Sequence, residues 1–299
     1  MRDSGLKGKG VLVTGGNNPY GIGAATARAF ASEGAAVFIQ YLRQSHDLEQ
    51  GARQQSDPHQ FGLPFFFAQQ KKSADEVVQS IREQGGQADS WECDLGKLNS
   101  IVTLFDRAER VLGNVDVVVN NAAEYAADTF VPKAALEADS ALWEGGPLTS
   151  PITAESHDRH FALNTRAPAL LMAEYARRHI ENKRSWGTII NVSADCSWGC
   201  PGEISYRASK YALESYSRSA AAELGPFGIT VNIVAPGPVQ TGYMSKQIEG
   251  ELVTDIPLRR VGQAEDVADV IVFLASKQAG WVTGQLLCVH GGHRMSLGR

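Results

Sequence analysis

The stretch GVLVTGGNNPYGIG, Gly10 to Gly23, decides the architecture. Gly10 to Thr14 is a short apolar run with the pattern of a buried strand, and the alanine-rich run Ala24 to Ser32 reads as a helix ending at Gly34. Strand, glycine turn and helix make the first half of a βαβ unit. Within the turn, Gly15 permits the tight bend, while Gly21 and Gly23 let a pyrophosphate and the next helix approach the backbone. A glycine turn alone is a weak signal. Here it follows a strand and opens a helix, the context that gives it meaning.

A second strand, Ala36 to Tyr41, follows at once, and its C-terminal end is expected to lie over an adenosine ribose. An NAD site asks for a carboxylate there. This chain offers Gln40, Tyr41, Leu42 and then Arg43, and an arginine suits a 2′-phosphate, so NADP(H) is favoured over NAD(H). From about 44 to 72 the pattern dissolves into a polar, Gln-rich insertion with an apolar knot at Phe65 to Phe67, read first as cover for a core edge.

Beyond it, strands and helices alternate. Ser73 to Gln84 reads as a helix and Ala88 to Cys93 as a strand entering Asp94; Ile101 to Leu112 is helical and Val115 to Val119 is again an apolar run. That run ends in Asn120-Asn121-Ala122-Ala123, small and amide side chains against which a flat ligand can pack. A second insertion, about 124 to 156 with Trp143 at its middle, sits where substrates are commonly chosen. His160 to Arg178 reads as one long helix carrying Asn164, Thr188 to Val192 as a strand delivering Ser193, and Tyr206 to Leu224 as a helix. Thr230 to Val234 leads into the loop APGPVQTG ending near Thr241, and a helix from Ala264 and a strand from Gln285 to His290 close the pattern. The alternation predicts a single α/β domain over 1–299: a doubly wound, Rossmann-like, seven-stranded parallel sheet with helices on both faces.

Tyr206 and Lys210 are four apart, so a helix places them on one face a turn apart. An ammonium beside a phenol favours the phenolate, which predicts a general acid/base working nearer neutral pH than free tyrosine. Ser193, thirteen residues upstream, offers a hydroxyl to the same reacting oxygen.

The totals exclude other classes. A net charge of −5 with no basic run argues against nucleic acid, and no apolar stretch approaches the roughly 20 residues of a membrane span. The polar N-terminus predicts no signal peptide. Cys93, Cys196, Cys200 and Cys288 follow no disulfide-scaffold or zinc spacing, so a reduced, cytoplasmic protein is expected. Cys196-x3-Cys200 and His157-x2-His160 are each at most half of a metal site, and no metal is expected.

Taken together, TGGNNPYGIG, Cys93-Asp94-Leu95, Asn120-Asn121-Ala122-Ala123, Asn164, Ser193, Tyr206-Arg-Ala-Ser-Lys210, Pro236-Gly237 with Thr241, and Gly291-Gly292 resemble the short-chain dehydrogenase/reductase superfamily. The likeness is to the single-domain branch that includes 3-oxoacyl-ACP reductases, and it runs from Gly10 to Gly292. It implies a catalytic set of Asn164, Ser193, Tyr206 and Lys210, with Tyr206 passing the proton, Ser193 polarising the carbonyl, and Lys210 on the tyrosine and the nicotinamide ribose. Asn164 is implied to hold a relay water. Asp94 and Leu95 are implied at the adenine, Asn120 near its ribose, and Val239 and Thr241 at the carboxamide. Gly15, Asn17, Tyr20, Gly21, Ile22, Tyr41, Arg43, Ala122, Pro236 and Gly237 complete the implied dinucleotide contacts.

The chain departs from the family pattern in four places. The glycine turn is two residues longer than Thr-Gly-x3-Gly-x-Gly and is similar to that of enoyl-ACP reductases, which usually put six residues between tyrosine and lysine. Ala123 replaces a glycine, and His290 stands where an acid is common. Counting forward from the strand puts the family's serine at Ala194, whereas counting back from Tyr206 gives Ser193, which has the hydroxyl. The implied activity is NADP(H)-dependent interconversion of a ketone and a secondary alcohol, with 3-oxoacyl thioesters among the substrates. An enoyl-type reductase and a non-catalytic dinucleotide-binding regulator are the alternatives. The implied partners are a small carbonyl or alcohol substrate and further copies of the chain, as a homotetramer or homodimer.

Overall fold

In a computed structural model, residues 3–44, 60–132, 135, 149–195 and 200–293 are described. Strand β1 (Gly10–Thr14) passes through the glycine turn into α1 (Ile22–Ser32), and β2 (Ala36–Tyr41) returns parallel to β1. Inside the first expected insertion lies a helix, α2 (Leu63–Gln70), started by Pro64, whose missing N–H is no loss in a first turn. Then come α3 (Asp75–Glu83), β3 (Gln87–Glu92), α4 (Ser100–Leu112) and β4 (Val117–Asn120). Within the second expected insertion, two-residue strands β5 (Asp128–Thr129) and β6 (Ser150–Pro151) pair in parallel; Trp143 lies outside the described residues.

The single helix expected from His160 is three pieces: α5 (Ala154–Phe161), a π turn (Ala162–Arg166) and α6 (Ala167–Glu181). Pro168 is the reason. It has no N–H to donate to the carbonyl of Asn164, so the regular i→i+4 ladder breaks and a wider turn takes its place. Strand β7 (Gly187–Val192), α7 (Ile204–Leu224) and β8 (Ile229–Pro236) follow. The chain closes with β9 (Val239–Gln240), α8 (Lys246–Val253), β10 (Gly262–Gln263), α9 (Ala264–Ala275) and β11 (Leu286–Val289).

The main sheet has seven strands in the order β11-β8-β7-β4-β1-β2-β3, every pair parallel. Chain order reverses between β1 and β4, so the loops leaving them diverge and open a crevice at their C-terminal ends. Both faces are covered. Val11, Val13, Val117 and Val119 pack under α1, α3 and α9, while Leu12, Val118 and Ile189 pack under α4, α6 and α7. With each such side chain contributing about 1.5–3 kcal/mol on burial, the central strands form a rigid floor for the crevice.

Candidate active site

The crevice begins at the glycine turn. Gly15 has φ +72°, and a Cβ there would come within 2.7 Å of the Ala122 Cα; a Cβ on Gly23 would lie 2.3 Å from the Gly15 carbonyl. Glycine is thus required by backbone approach. Thr14 Oγ1 accepts from the N–H groups of Asn121 and Ala122, and Asn121 Nδ2 donates back to Thr14 and Gly15, tying the ends of β1 and β4 together.

Two turn residues reach outward. Asn18 Nδ2 donates to the Thr241 carbonyl at 3.0 Å, joining the turn to the loop after β8. Asn17, implied as a cofactor contact, spends its amide on the carbonyls of Gln70 and Lys72 at 3.1 and 2.9 Å. Tyr20 is half exposed and stacks edge-on with Phe61 and Phe65. The apolar knot of the insertion therefore covers the glycine turn. Sequence spacing held no trace of this, since the partners lie over 40 residues apart.

The residues fit a dinucleotide. Gly21 gives α1 no side-chain cap, so Ile22 and the N–H groups that follow face an anion position. Asn120 donates to Asn191 at 2.7 Å, and its own Oδ1 is buried with no partner. Of the residues implied at the adenosine, Tyr41 is buried at the tip of β2, Asp94 Oδ1 accepts from Gly96 N–H, and Leu95 is in the core.

Arg43 differs from its expected setting. Its Nε lies 3.0 and 2.9 Å from the two oxygens of Glu92, and its Nη2 is 2.7 Å from Oε2. Hydrogen bonds from Arg43 hold the Glu92 carboxyl below its ordinary range. A carboxylate does stand at this strand end, then, but on β3, opposite Tyr41 in register and far away in sequence.

Tyr206 and Lys210 lie in the first two turns of α7, with Lys210 Nζ 5.8 Å from the tyrosine ring centre. Lys210 is buried and donates to the Val192 carbonyl at 2.8 Å. Burial, reinforced by the nearby Arg207 charge, pushes its ammonium down to about 7. Burial pushes the Tyr206 phenol up to about 12, against the sequence expectation of a lowered value. The reason is desolvation: an ion close to neutrality itself at pH 7 offers the phenolate little. The Tyr206 ring is met edge-on by Tyr125 at 5.1 Å and by His160 at 6.3 Å.

Ser193 is displaced from its expected partner. Its buried hydroxyl donates to Glu214 Oε1 at 2.8 Å, and among the described residues no hydrogen bond joins it to Tyr206. Strand alternation accounts for this correction. Asn191 and Ser193 both point toward α7, Asn191 to Ser217 and Ser193 to Glu214, and the adjacent Ala194 has no hydroxyl. Asn164 is also fully engaged: its Oδ1 accepts from Glu124 N–H, and its Nδ2 donates to the Glu124 carbonyl and to Ser209.

Several groups around Tyr206 had no sequence signal. The Tyr125 hydroxyl donates to Glu203 at 3.0 Å, and Arg207 Nε donates to the same carboxylate at 2.6 Å. Asp128, wholly buried on β5, accepts from Ser205 N–H at the start of α7 and from Ser156 Oγ. Of the residues implied at the nicotinamide, Pro236 accepts from Asp195 N–H, and Gly237 abuts His290, where a Cβ would come within 2.5 Å. Val239 pairs with Gly262, and Thr241 takes the Asn18 bond.

Of the two half-sites for metal, the histidine pair points in two directions. His160 is buried, with Nδ1 2.7 Å from the Ser156 carbonyl and Nε2 accepting from Ala126, whereas His157 lies exposed beside Asp158. Among the described residues no group of three His, Cys, Asp or Glu could hold a metal ion. Cys93 and Cys288 are free thiols, but Cys200 is disulfide-bonded, a departure from the expected all-thiol chain; Cys196 lies outside the described residues. No helix among the described residues is long and apolar enough to cross a membrane.

A parallel sheet with a glycine turn at its switch point and a Tyr-x3-Lys helix beside it defines a nicotinamide-dinucleotide oxidoreductase. The chain belongs to the short-chain dehydrogenase/reductase superfamily: residues 56–294 match the family model described as Enoyl-(Acyl carrier protein) reductase. It is 31% identical to the uncharacterized oxidoreductase YjdA of Bacillus subtilis, over 94% of this chain and 95% of that protein. It is 30% identical to the hydroxynaphthalene reductase-like protein Arp2 of Metarhizium robertsii, over 96% and 95% of the two chains. Among solved structures it superposes on the promiscuous reductase LugOII, which catalyses keto-reduction at C1 during lugdunomycin biosynthesis, with a TM-score of 0.72 and 31% identity over 96% of this chain and 97% of that one.

Proposed function

We propose that the chain is an NADP(H)-dependent carbonyl reductase that interconverts a ketone and a secondary alcohol. The observation that carries this reading is the half-buried Tyr206 phenol, held protonated up to about pH 12, with the Lys210 ammonium on the same helix face. A phenol in that state is a proton donor for a carbonyl oxygen. When bound, the dinucleotide supplies or accepts the hydride. In this reading Lys210 holds the nicotinamide ribose, and Asn164 holds the 124 loop, and through it Tyr125, against the tyrosine. Ser193 is assigned to anchor α7 through Glu214, leaving proton transfer to Tyr206.

NADP(H) preference rests on Arg43, which would exchange Glu92 for a 2′-phosphate. For the substrate, the aromatic edge made by Tyr125 against Tyr206 suits a flat cyclic ketone better than an extended 3-oxoacyl thioester. The names of the hydroxynaphthalene reductase-like relative and of LugOII support the same choice.

The test is NADPH oxidation with fused-ring ketones and 3-oxoacyl thioesters side by side. Tyr206→Phe should lower kcat on the best substrate by about 10²–10⁴-fold, and near-normal turnover would remove Tyr206 from the chemistry. An enoyl-type reductase is the second reading, favoured by the long glycine turn and by the description of the matching family model. Turnover of a 2-enoyl thioester with none of any ketone would establish it instead.

A further inference from the structure

Helix α2 buries one face, made of Phe65 and Gln69 a turn apart. The Phe65 ring meets Tyr20 of the glycine turn edge-on at 5.2 Å and lies against Gly242, where a Cβ would come within 2.9 Å of it. Gly62 N–H donates to the Gly242 carbonyl at 2.9 Å. At the other end of the helix, Asn17 holds the carbonyls of Gln70 and Lys72, and Gln44 N–H donates to Gln70 at 3.2 Å. The helix therefore runs from the loop after Thr241, past the glycine turn, to the end of β2, the three segments that border a dinucleotide in this fold.

Between these anchorages lies Gln69, 6% exposed, with Oε1 buried and without a hydrogen-bond partner. A lone buried amide oxygen is costly, and structures keep such groups where something else partners them. The two ends of an amide exchange by a half-turn, so the same side chain can present its NH2 at that point. Phosphate oxygens accept from such a donor.

We propose that Gln69 is a dinucleotide-binding residue and that α2 is the outer wall of the cofactor cleft, with the Gln69 amide donating to the diphosphate bridge. The proposal rests on the reading that the chain binds a nicotinamide dinucleotide. It does not rest on the preference for NADP(H), because the diphosphate is common to both cofactors.

Calorimetric titration of the full chain with NADPH and with NADH, alongside melting of the ligand-free protein, tests it. Gln69→Leu should raise Kd for both dinucleotides by roughly tenfold, the worth of one hydrogen bond to a charged group. It should also leave the ligand-free melting temperature equal or higher, since the orphaned oxygen is gone. Gln69→Glu, which puts an anion beside the phosphates, should weaken both further. Arg43→Ala should weaken NADPH alone. If Gln69→Leu and Gln69→Glu both bind with wild-type affinity, or both lose affinity only together with a lower ligand-free melting temperature, the proposal is overturned. A wild-type preference for NADH would sink the reading of Arg43 while the NADH titrations still decide Gln69.

Discussion

Lys210 is the side chain whose chemistry is changed most by its surroundings. Burial and the Arg207 charge bring its ammonium from 10.5 to about 7. The folded chain then binds fewer protons than the unfolded chain between about pH 7 and 10.5, so stability rises with pH across that window. The cost of the buried ammonium is fully present below about pH 7 and is relieved above it. The proposed function runs the other way, because a Lys210 that holds ribose hydroxyls beside Tyr206 needs its charge. kcat/KM for NADPH should fall as pH rises through about 7, and the step should vanish in Lys210→Met. A profile flat from pH 6 to about 9 in the wild type would remove this role. Ser193 gives the opposite expectation. Ser193→Ala should keep kcat within about tenfold while lowering unfolding free energy by about 1–3 kcal/mol, since Glu214 Oε1 is left buried without its donor while Arg218 reaches only Oε2. Steady-state kinetics and urea unfolding separate the two effects; a loss of several hundredfold in kcat at full stability would return the serine to the chemistry.

At the scale of elements, α7, which carries Tyr206 and Lys210, depends on a strand only two residues long. Asp128 on β5 is 0% exposed, and its carboxylate accepts from Ser205 N–H, the residue before Tyr206, and from Ser156 Oγ near the start of α5. It caps α7 in place of Glu203, whose own side chain makes no capping bond. Asp128→Ala should destabilise the fold by about 1–3 kcal/mol and lower kcat through misplacement of Tyr206, with Asp128→Asn recovering part of both. Denaturant unfolding with matched kinetics checks this, and an Asp128→Ala enzyme of wild-type stability would show that α7 needs no such cap. The π turn acts similarly. Pro168 forces it, and it carries Asn164 to where the amide can grip both backbone groups of Glu124.

For the whole molecule, α4, α6 and α7 leave Val102, Leu170 and Tyr216 facing solvent at 49%, 38% and 52% exposure. Apolar side chains on neighbouring helices of one face are consistent with assembly. Light scattering at micromolar concentration should give the mass of a dimer or tetramer, and Leu170→Glu with Tyr216→Glu should reduce it; a monomeric wild type would end that expectation.

The doubly wound sheet was legible because its signals are local. Apolar runs such as Val117–Asn120 and Gly187–Val192 are buried on both faces, and a glycine turn after β1 needs only neighbouring residues to be recognised. The stretch Gly10 to Gly23 and the pair Tyr206 and Lys210 were for the same reason visible as local spacings, each taking its meaning from the strands and motifs around it. Tertiary structure decided what spacing cannot carry. Pairing of β2 with β3 brought Glu92 onto Arg43, strand alternation turned Ser193 to Glu214, and burial reversed the expected direction of the Tyr206 pKa. Packing of α2 against the glycine turn buried Gln69 and left its amide oxygen without a partner. A periodic pattern records which face of an element is buried; it holds no record of which distant polar group will be waiting there, or of how little water that group will share.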